Sequence, residues 1–178
     1  MAPQYSGTVG KIANSQIGVF LAYANRYGAV LLDRELYLHA DWEKDPERCK
    51  EAEVPQERRT TIPKPTLAKQ MLERAFAHGI KAAWVTGDTV YGGDTKLRMW
   101  LEERLQPYVL AVPKNQRLGL ASRADEVVAS WPAERWQRVK AGRRQSRVAL
   151  LRLGLAVPGL PLDGARMEAV AAGSAESL

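Results

Sequence analysis

The sequence predicts a mixed α/β fold, in which helices pack on a sheet that contains both antiparallel and parallel strands. Two β-rich runs are joined by a short glycine-containing loop, and two later β-rich runs each follow an amphipathic stretch. The chain has 178 residues, 46% of them hydrophobic, so it can bury one sizeable core but not two large ones. Because a helix between two strands forms a crossover, at least the last two strands are expected to be parallel.

The first pair of strands is predicted as a hairpin. Residues 16–24 (QIGVFLAYA) and 29–38 (AVLLDRELYL) are rich in aliphatic and aromatic residues, and Asn25-Arg26-Tyr27-Gly28 separates them. A short loop of this composition is typical of a β-hairpin. Residues 41–65 (DWEKDPERCKEAEVPQERRTTIPKP) are charged, interrupted by proline and without sustained periodicity. We therefore expect a long exposed connection there.

The next elements are a helix and a strand. Thr66 is expected to cap the helix, and Gly79 is placed to end it. A strand, IKAAWVT, follows at residues 80–86. The apolar positions that repeat at helical spacing are Ala68, Met71, Leu72, Ala75 and Phe76.

A second helix and a last strand follow Asp88 and the pair Gly92-Gly93. Asp94 can cap this helix, and Pro107 ends it before the short buried strand YVLAV, residues 108–112. Arg98 and Glu102 are spaced as an i,i+4 pair on its exposed side. The apolar face of the helix is predicted to contain Leu97, Trp100, Leu101 and Leu105.

The composition changes beyond residue 140, so we divide the chain into a folded domain, 1–140, and a tail, 141–178. The tail has no Lys and no aromatic residue, and it contains five Arg and three acidic residues. It could be a basic extension for nucleic acid, but the small charge excess favours disorder or an out-of-frame C-terminus. We expect this tail to be disordered.

Charge and cysteine content restrict the partners and the compartment. The net charge is +6 and the isoelectric point is near 9.6, which suits a polyanionic partner such as DNA but also occurs in many other proteins. The single Cys49 cannot form an internal disulfide, which favours a reducing compartment. No apolar run is long enough for a membrane span, and residues 1–11 lack the apolar core of a signal peptide. We expect a cytoplasmic protein with no membrane partner.

Asp88 is the main candidate site residue, because it directly follows a predicted buried strand. In open α/β sheets, ligands bind beyond the carboxyl ends of the strands. The alternative is a structural turn, in which the carboxylate accepts hydrogen bonds from nearby backbone N–H groups. Gly87-Asp88 with Asp94 could also form the acidic loop of a haloacid-dehalogenase-type phosphatase. That chemistry needs an earlier Asp-x-Asp sequence, which this chain does not contain.

Three long runs carry a family resemblance: QYSGTVGKIANSQIGVFLAYANRYGAVLLDRELYL, AAWVTGDTVYGGDTKLRMWLEERLQPYVLAVPKN and SWPAERWQRV. They resemble the DDE transposases of bacterial insertion sequences, also described as DDE-superfamily endonucleases, over about residues 4 to 142. The resemblance implies a partial ribonuclease-H-like sheet, in which the hairpin supplies the second and third strands and residues 80–86 supply the fourth. It also implies DNA as the partner and Mg²⁺ as the cofactor.

The resemblance assigns Asp88 to the second acid of the catalytic triad, where it is both a catalytic residue and a metal ligand. In this family the first Asp lies on the first strand, which would precede the matched segment, and the third acid is a Glu on a later helix that the tail does not resemble. The chain is therefore expected to carry one acid of three and to be a truncated transposase, inactive alone, because one carboxylate cannot hold two metal ions. A non-catalytic module that binds DNA or full-length transposase, and so damps transposition, is the alternative.

Other noteworthy side chains have ordinary structural explanations. Asp33 and Glu35 are expected to point to one face of a strand, and Asp41 belongs to the connection. Apart from the spacing His39-x-Asp41, His39 and His78 lack partners at metal-ligand spacing, and both are expected at the surface. Three aromatic residues on apolar faces are expected in the core: Trp84, Trp100 and Tyr108. A basic cluster after the last strand could contact phosphate or simply be a solvated face; it comprises Lys114, Arg117, Arg123, Arg135, Arg138 and Lys140.

Overall fold

The computed structural model describes residues 2–6, 10–118, 122–132 and 169–177. These residues fall into two compact units, of which the first comprises the described parts of 1–113 and 166–178 and the second those of 114–165. The predicted domain boundary at residue 140 lies outside the described residues, as do residues 141–168 of the predicted tail.

The strands and helices of the first unit follow the predicted order, with additions. The strands are β1 (Ala2–Ser6), β2 (Lys11–Asn25), β3 (Gly28–Tyr37), β4 (Trp84–Gly87), β5 (Tyr108–Leu110) and β8 (Ala169–Ser177). The α-helices are α1 (Ala40–Glu43), α2 (Pro46–Glu51), α3 (Lys64–Ala77), α4 (Thr89–Gly92) and α5 (Thr95–Glu103), and a 3₁₀ turn covers Gln56–Arg58.

The predicted hairpin is confirmed as β2 and β3, joined by Arg26 and Tyr27 alone. The two strands are antiparallel, with Asn25 opposite Gly28 and a register shift between Leu21 and Ala22. Gly28 has a φ of 155°, a conformation that residues with a side chain rarely adopt, so glycine suits the position where the second strand begins.

The sheet is mixed, as predicted. Strand β4 pairs in parallel with β5, and β8 lies between β2 and β4, antiparallel to the first and parallel to the second. Strand β8 lies in the middle of the sheet, and the mixed sheet with its helices is consistent with a partial ribonuclease-H-like fold. Within the predicted tail, residues 169–177 form this strand. Strand pairing uses backbone groups, which Ala, Gly and Ser supply as well as larger residues, so composition gave no sign of it.

The core lies between one face of this sheet and helices α3 and α5. Along β2 the buried residues alternate, and Val19 and Leu21 contact the helices together with Val85 of β4. The helices contribute Leu67, Ala68, Met71, Leu72, Ala75, Leu97, Trp100 and Leu101. Full burial of a large aliphatic side chain stabilises a fold by about 1.5 to 3 kcal/mol, so this face accounts for much of the stability of the unit.

Helix α3 starts earlier than the sequence suggests. It begins at Lys64, after Pro63, and no side chain caps it, so the prediction of Thr66 as the cap is wrong. Pro65 fits the first turn because that position needs no intrahelical N–H. The predicted end is confirmed: His78 closes the helix and Gly79 follows with a φ of 79°.

The connection between β3 and α3 is more ordered than predicted. It contains α1, α2 and the 3₁₀ turn. The prediction of a long irregular connection over residues 41–65 is therefore wrong. His39 caps α1 by accepting from the Asp41 N–H, and Asp45 caps α2, in which Pro46 is the first residue. Cys49 is buried and its Sγ lies 3.2 Å from the carbonyl oxygen of Trp42.

The second unit contains β6 (Arg117–Leu118), β7 (Ser122–Arg123) and α6 (Ala124–Ser130) within its described residues. The two short strands are antiparallel, and α6 follows β7 directly. The Ala124 N–H donates to the Gln116 carbonyl at 2.8 Å and ties the start of the helix to the residue that precedes β6. None of the helices in the described ranges of either unit is long and apolar enough to cross a lipid bilayer.

Candidate active site

Asp88 lies directly after the last residue of β4, as predicted, and its side chain is exposed. Its Oδ1 accepts a hydrogen bond of 2.8 Å from the Val90 N–H, and its carbonyl oxygen accepts from the N–H groups of Tyr91 and Gly92. Asp88 is therefore the N-cap of α4, the turn role that was the alternative to a ligand site. Its Oδ2 has no hydrogen-bond partner among the described residues.

The loop that holds Asp88 is fixed by close packing. A Cβ added to Gly92 would lie 1.9 Å from the carbonyl oxygen of Ala111, and one added to Gly87 would lie 3.1 Å from a methyl group of Leu110. Tyr91, between the two glycines, is fully buried in the core. The two glycines therefore let the loop approach the end of β5, and the position of Asp88 follows from that approach.

Helix α5 closes the loop on the other side. Asp94 caps this helix, as predicted, by accepting from the Leu97 N–H at 2.7 Å. The guanidinium of Arg98 donates to the Gly92 carbonyl and to Thr95 Oγ1, not to Glu102 as the spacing suggested. Glu102 instead accepts from the Tyr108 hydroxyl at 2.6 Å. Burial, together with this hydrogen bond, raises the pKa of Tyr108 to about 12.

The strand beside Asp88 brings no carboxylate to it. In the parallel pairing of β4 with β8, Gly87 lies opposite Ala172, so Gly173 is the next residue along β8 on the Asp88 side. Ser174 and Ala175 follow, and the first acid of β8 is Glu176. Within the described ranges, no group of three or more His, Cys, Asp and Glu side chains is arranged to hold a metal ion.

The acidic residues of β3 are engaged elsewhere. Asp33 and Glu35 share one face of the strand, as predicted, and they lie opposite the core residues Leu21 and Val19. Arg74 of α3 lies 2.8 Å from Asp33 Oδ2 and 2.7 Å from Glu35 Oε1, and Arg58 bonds the other Glu35 oxygen. Both carboxylates are therefore part of a structural ion-pair cluster.

The remaining candidates have structural positions. His39 caps α1 and faces Asp41 at 3.2 Å, and the Nδ1 of His78 lies 2.8 Å from the Arg74 carbonyl oxygen at the end of α3. Trp100 belongs to the hydrophobic core, and Tyr108 is partly buried against that core. Trp84 is half-buried. The first three residues of the basic cluster, Lys114, Arg117 and Arg123, are exposed, and Arg123 pairs with Asp125; Arg135, Arg138 and Lys140 lie outside the described residues.

Comparison with known proteins adds the family. The family model of the DDE superfamily endonucleases matches residues 1–148, which is most of the chain. The chain belongs to this family. Nothing among the curated proteins and nothing among the solved structures matches it. Membership agrees with the resemblance found in the sequence, and it makes the chain a transposase-type nuclease domain with DNA as its substrate class.

DDE superfamily nucleases generally use divalent metal ions. The described residues do not fit a pair of such ions, because two ions about 3.5 to 4 Å apart require several bridging carboxylates and this site offers Asp88 alone. One oxygen of that carboxylate is already used in the cap. The described residues thus fail to fit a metal pair because they supply too few acids. The position of Asp88 is not the obstacle, because the end of a sheet strand is a suitable place for a ligand.

Proposed function

We propose that this chain is a fragment of a DNA transposase that acts in the cytoplasm and binds the ends of an insertion sequence, with Asp88 as its metal-binding catalytic acid. The observation that supports this most directly is the exposed Asp88 carboxylate at the carboxyl end of β4 in a domain of the DDE endonuclease family. The helix cap uses Oδ1, so the exposed Oδ2 is free of the cap and can serve as a ligand.

We also propose that the fragment does not cut or join DNA by itself. Mg²⁺ is the ion we assign to the intact family, since it prefers oxygen ligands and demands near-octahedral geometry. With one carboxylate the site would hold the ion weakly, because water must supply most of the coordination and the ion sheds its hydration water reluctantly. The arginines around Asp33 and Glu35 keep those two carboxylates in the ion-pair cluster.

The test is a cleavage and joining assay with the full chain, on DNA that carries the ends of its element, in Mg²⁺ or Mn²⁺. We expect salt-dependent DNA binding without strand cleavage. The variants are Asp88→Ala and, as a matched carboxylate from the same loop, Asp94→Asn, which keeps an acceptor for the α5 cap. Metal-dependent cleavage that is lost in Asp88→Ala but kept in Asp94→Asn would refute the proposed inactivity and support the role of Asp88. Failure to bind DNA would refute the proposed partner.

The second candidate is a module that binds DNA or full-length transposase and damps transposition. It is favoured by β8, which occupies the central strand position while bringing no acid next to Asp88. The two candidates differ in a transposition assay in which the intact element and this chain are co-expressed. A fall in transposition frequency that Asp88→Ala does not change supports damping, and an unchanged frequency excludes it.

A further inference from the structure

The tip of the β2–β3 hairpin presents an aromatic ring that the fold does not use. Tyr27 is 79% exposed. The turn itself is formed by its neighbours: Asn25 Oδ1 accepts the Tyr27 N–H at 2.8 Å, and Gly28 supplies the unusual φ. A side-chain amide that folds back in this way is typical of turns, and it makes no demand on the residue at position 27.

The ring is held against a cation. The guanidinium carbon of Arg26 lies 4.3 Å from the centroid of the Tyr27 ring, and the two side chains also bond through the phenol oxygen. The base of the tip is narrow, because the pair that flanks the loop beyond Asn25 and Gly28 is Ala24 with Ala29. From residue 16 to residue 32 the hairpin contains no Asp or Glu, and Arg26 is its one charged side chain.

We propose that this tip is a DNA contact that stacks on an unpaired base through Tyr27 and bonds the adjacent phosphate through Arg26. This inference rests on the proposed function, from which it takes DNA as the partner. Proteins that hold single-stranded nucleic acid combine aromatic platforms with positive charge in this way, and a two-stranded β-ribbon is narrow enough to enter the major groove. Strand opening at the ends of an element would supply the unpaired base.

The test measures the affinity of the full chain for fluorescein-labelled oligothymidylate and for a blunt duplex of the same length, by anisotropy. We expect Tyr27→Ala to weaken oligothymidylate binding about tenfold, or about 1.4 kcal/mol, and to affect the duplex less. Tyr27→Phe keeps the ring and should bind within about twofold of the wild type. Arg26→Ala should reduce the salt dependence of binding by about one phosphate contact.

Tyr5→Ala is the matched control, because Tyr5 is likewise an exposed tyrosine, 64% exposed, but lies in β1 and away from the hairpin turn. It should leave both affinities unchanged, and thermal melting verifies that each variant is folded. Equal oligothymidylate affinities of Tyr27→Ala and the wild type would overturn the inference and leave the proposed function standing. The same holds if the wild type binds the duplex but not oligothymidylate. If the wild type binds neither probe, the inference and the proposed DNA partner both fall.

Discussion

Two acidic regions of the first unit differ in what surrounds the carboxylates. On β3, Glu35 is only 7% exposed and contacts Arg58 and Arg74, and Asp33 shares Arg74 with it. At the end of β4, Asp88 is exposed and its one hydrogen bond through the side chain goes to a backbone N–H. The carboxylates of the first region bond arginines of the same chain, whereas among the described residues the Asp88 carboxylate has only a backbone partner.

The contrast gives a criterion for separating structural acids from the one acid that we propose to be functional. A carboxylate removed from water is stable only when cations and donors surround it, so the chain itself must occupy its oxygens. An exposed carboxylate costs little and keeps its ligand-binding capacity. Position on the sheet agrees with the proposed assignment, because Asp88 follows the carboxyl end of a strand and the two β3 acids lie within one.

The largest loss of stability is expected from a substitution in the closely packed loop that holds Asp88. Gly92→Ala places a Cβ within 1.9 Å of the Ala111 carbonyl oxygen, a backbone atom that cannot turn aside. We expect a loss of about 3 kcal/mol or more in the free energy of unfolding, at the upper end of the effects of overpacking. Urea denaturation measures it. Gly93→Ala is the matched control, since its Cβ would lie 3.0 Å from the Thr89 carbonyl oxygen and needs only a small shift. Equal losses would mean that the loop is not held as described.

The next effect tests the β3 region. Arg74→Ala removes a cation that bonds two carboxylates, one of them buried, and should lower the free energy of unfolding by about 2 to 3 kcal/mol. This loss of stability should be smaller than that from breaking a fully buried ion pair, because Arg58 still bonds Glu35 in the variant. Glu73→Ala, which breaks the exposed Lys69–Glu73 pair at 3.8 Å and leaves Lys69 over the Trp100 ring, should cost less than about 0.5 kcal/mol. A loss in Arg74→Ala as small as this control would remove the distinction between the two regions.

Substitution of Asp88 should have a smaller effect. Asp88→Ala removes the N-cap of α4 and should cost about 1 kcal/mol, whereas Asp88→Asn keeps a capping oxygen and should change stability by less than about 0.5 kcal/mol. Thermal melting with and without Mg²⁺ measures both. If Mg²⁺ raises the melting temperature of the wild type and of neither variant, Asp88 binds the ion. No loss in Asp88→Ala would contradict the capping role.

The smallest expected effect is a pH dependence of stability that comes from Tyr108, whose hydroxyl donates to the acid Glu102. Tyr108 loses its proton near pH 10 when unfolded, and its folded pKa is about 12, so the folded chain binds more protons between these values. The free energy of unfolding should therefore fall as pH rises from 10 to 12, by less than about 1 kcal/mol because the Tyr108 side chain is only partly buried and solvent screens its hydroxyl. Urea denaturation above and below pH 10 measures the slope, and Tyr108→Phe should reduce it. An equal slope in that variant would assign the effect to other groups.

Much of the fold could be predicted where hydrophobic pattern and turn chemistry agree. The hairpin follows from two β-rich runs around Asn25 and Gly28, and α5 begins at the predicted cap, Asp94. The same pattern failed at Leu105, which was expected on the apolar face of α5. This residue lies past the end of the helix with a φ of 53° and is 89% exposed, because the helix closes at Arg104.

Other elements gave no periodic signal. Helices α1 and α2 are too short to show a periodic apolar face. Their N-caps, His39 and Asp45, can be recognised only once the backbone conformation is known. The ion pairs of Asp33 and Glu35 depend on arginines that are distant in sequence. At the candidate site, Asp88 could be singled out from its place after a strand, and the sequence left open whether its carboxylate bonds the backbone; the structure shows that Oδ1 accepts from the Val90 N–H.

The position of β8 also has a consequence for how the protein forms during synthesis. The strands β2 and β8 pair although they lie roughly 150 residues apart in sequence, a separation that slows folding because a long loop must close first. While the ribosome makes the intervening chain, one edge each of β2 and β4 lacks this neighbour. Such edges recruit other strands, so the nascent chain is exposed to misassembly until residue 169 and those after it have emerged. Yield of this protein in cells should therefore depend on chaperones that hold unpaired strands apart during translation.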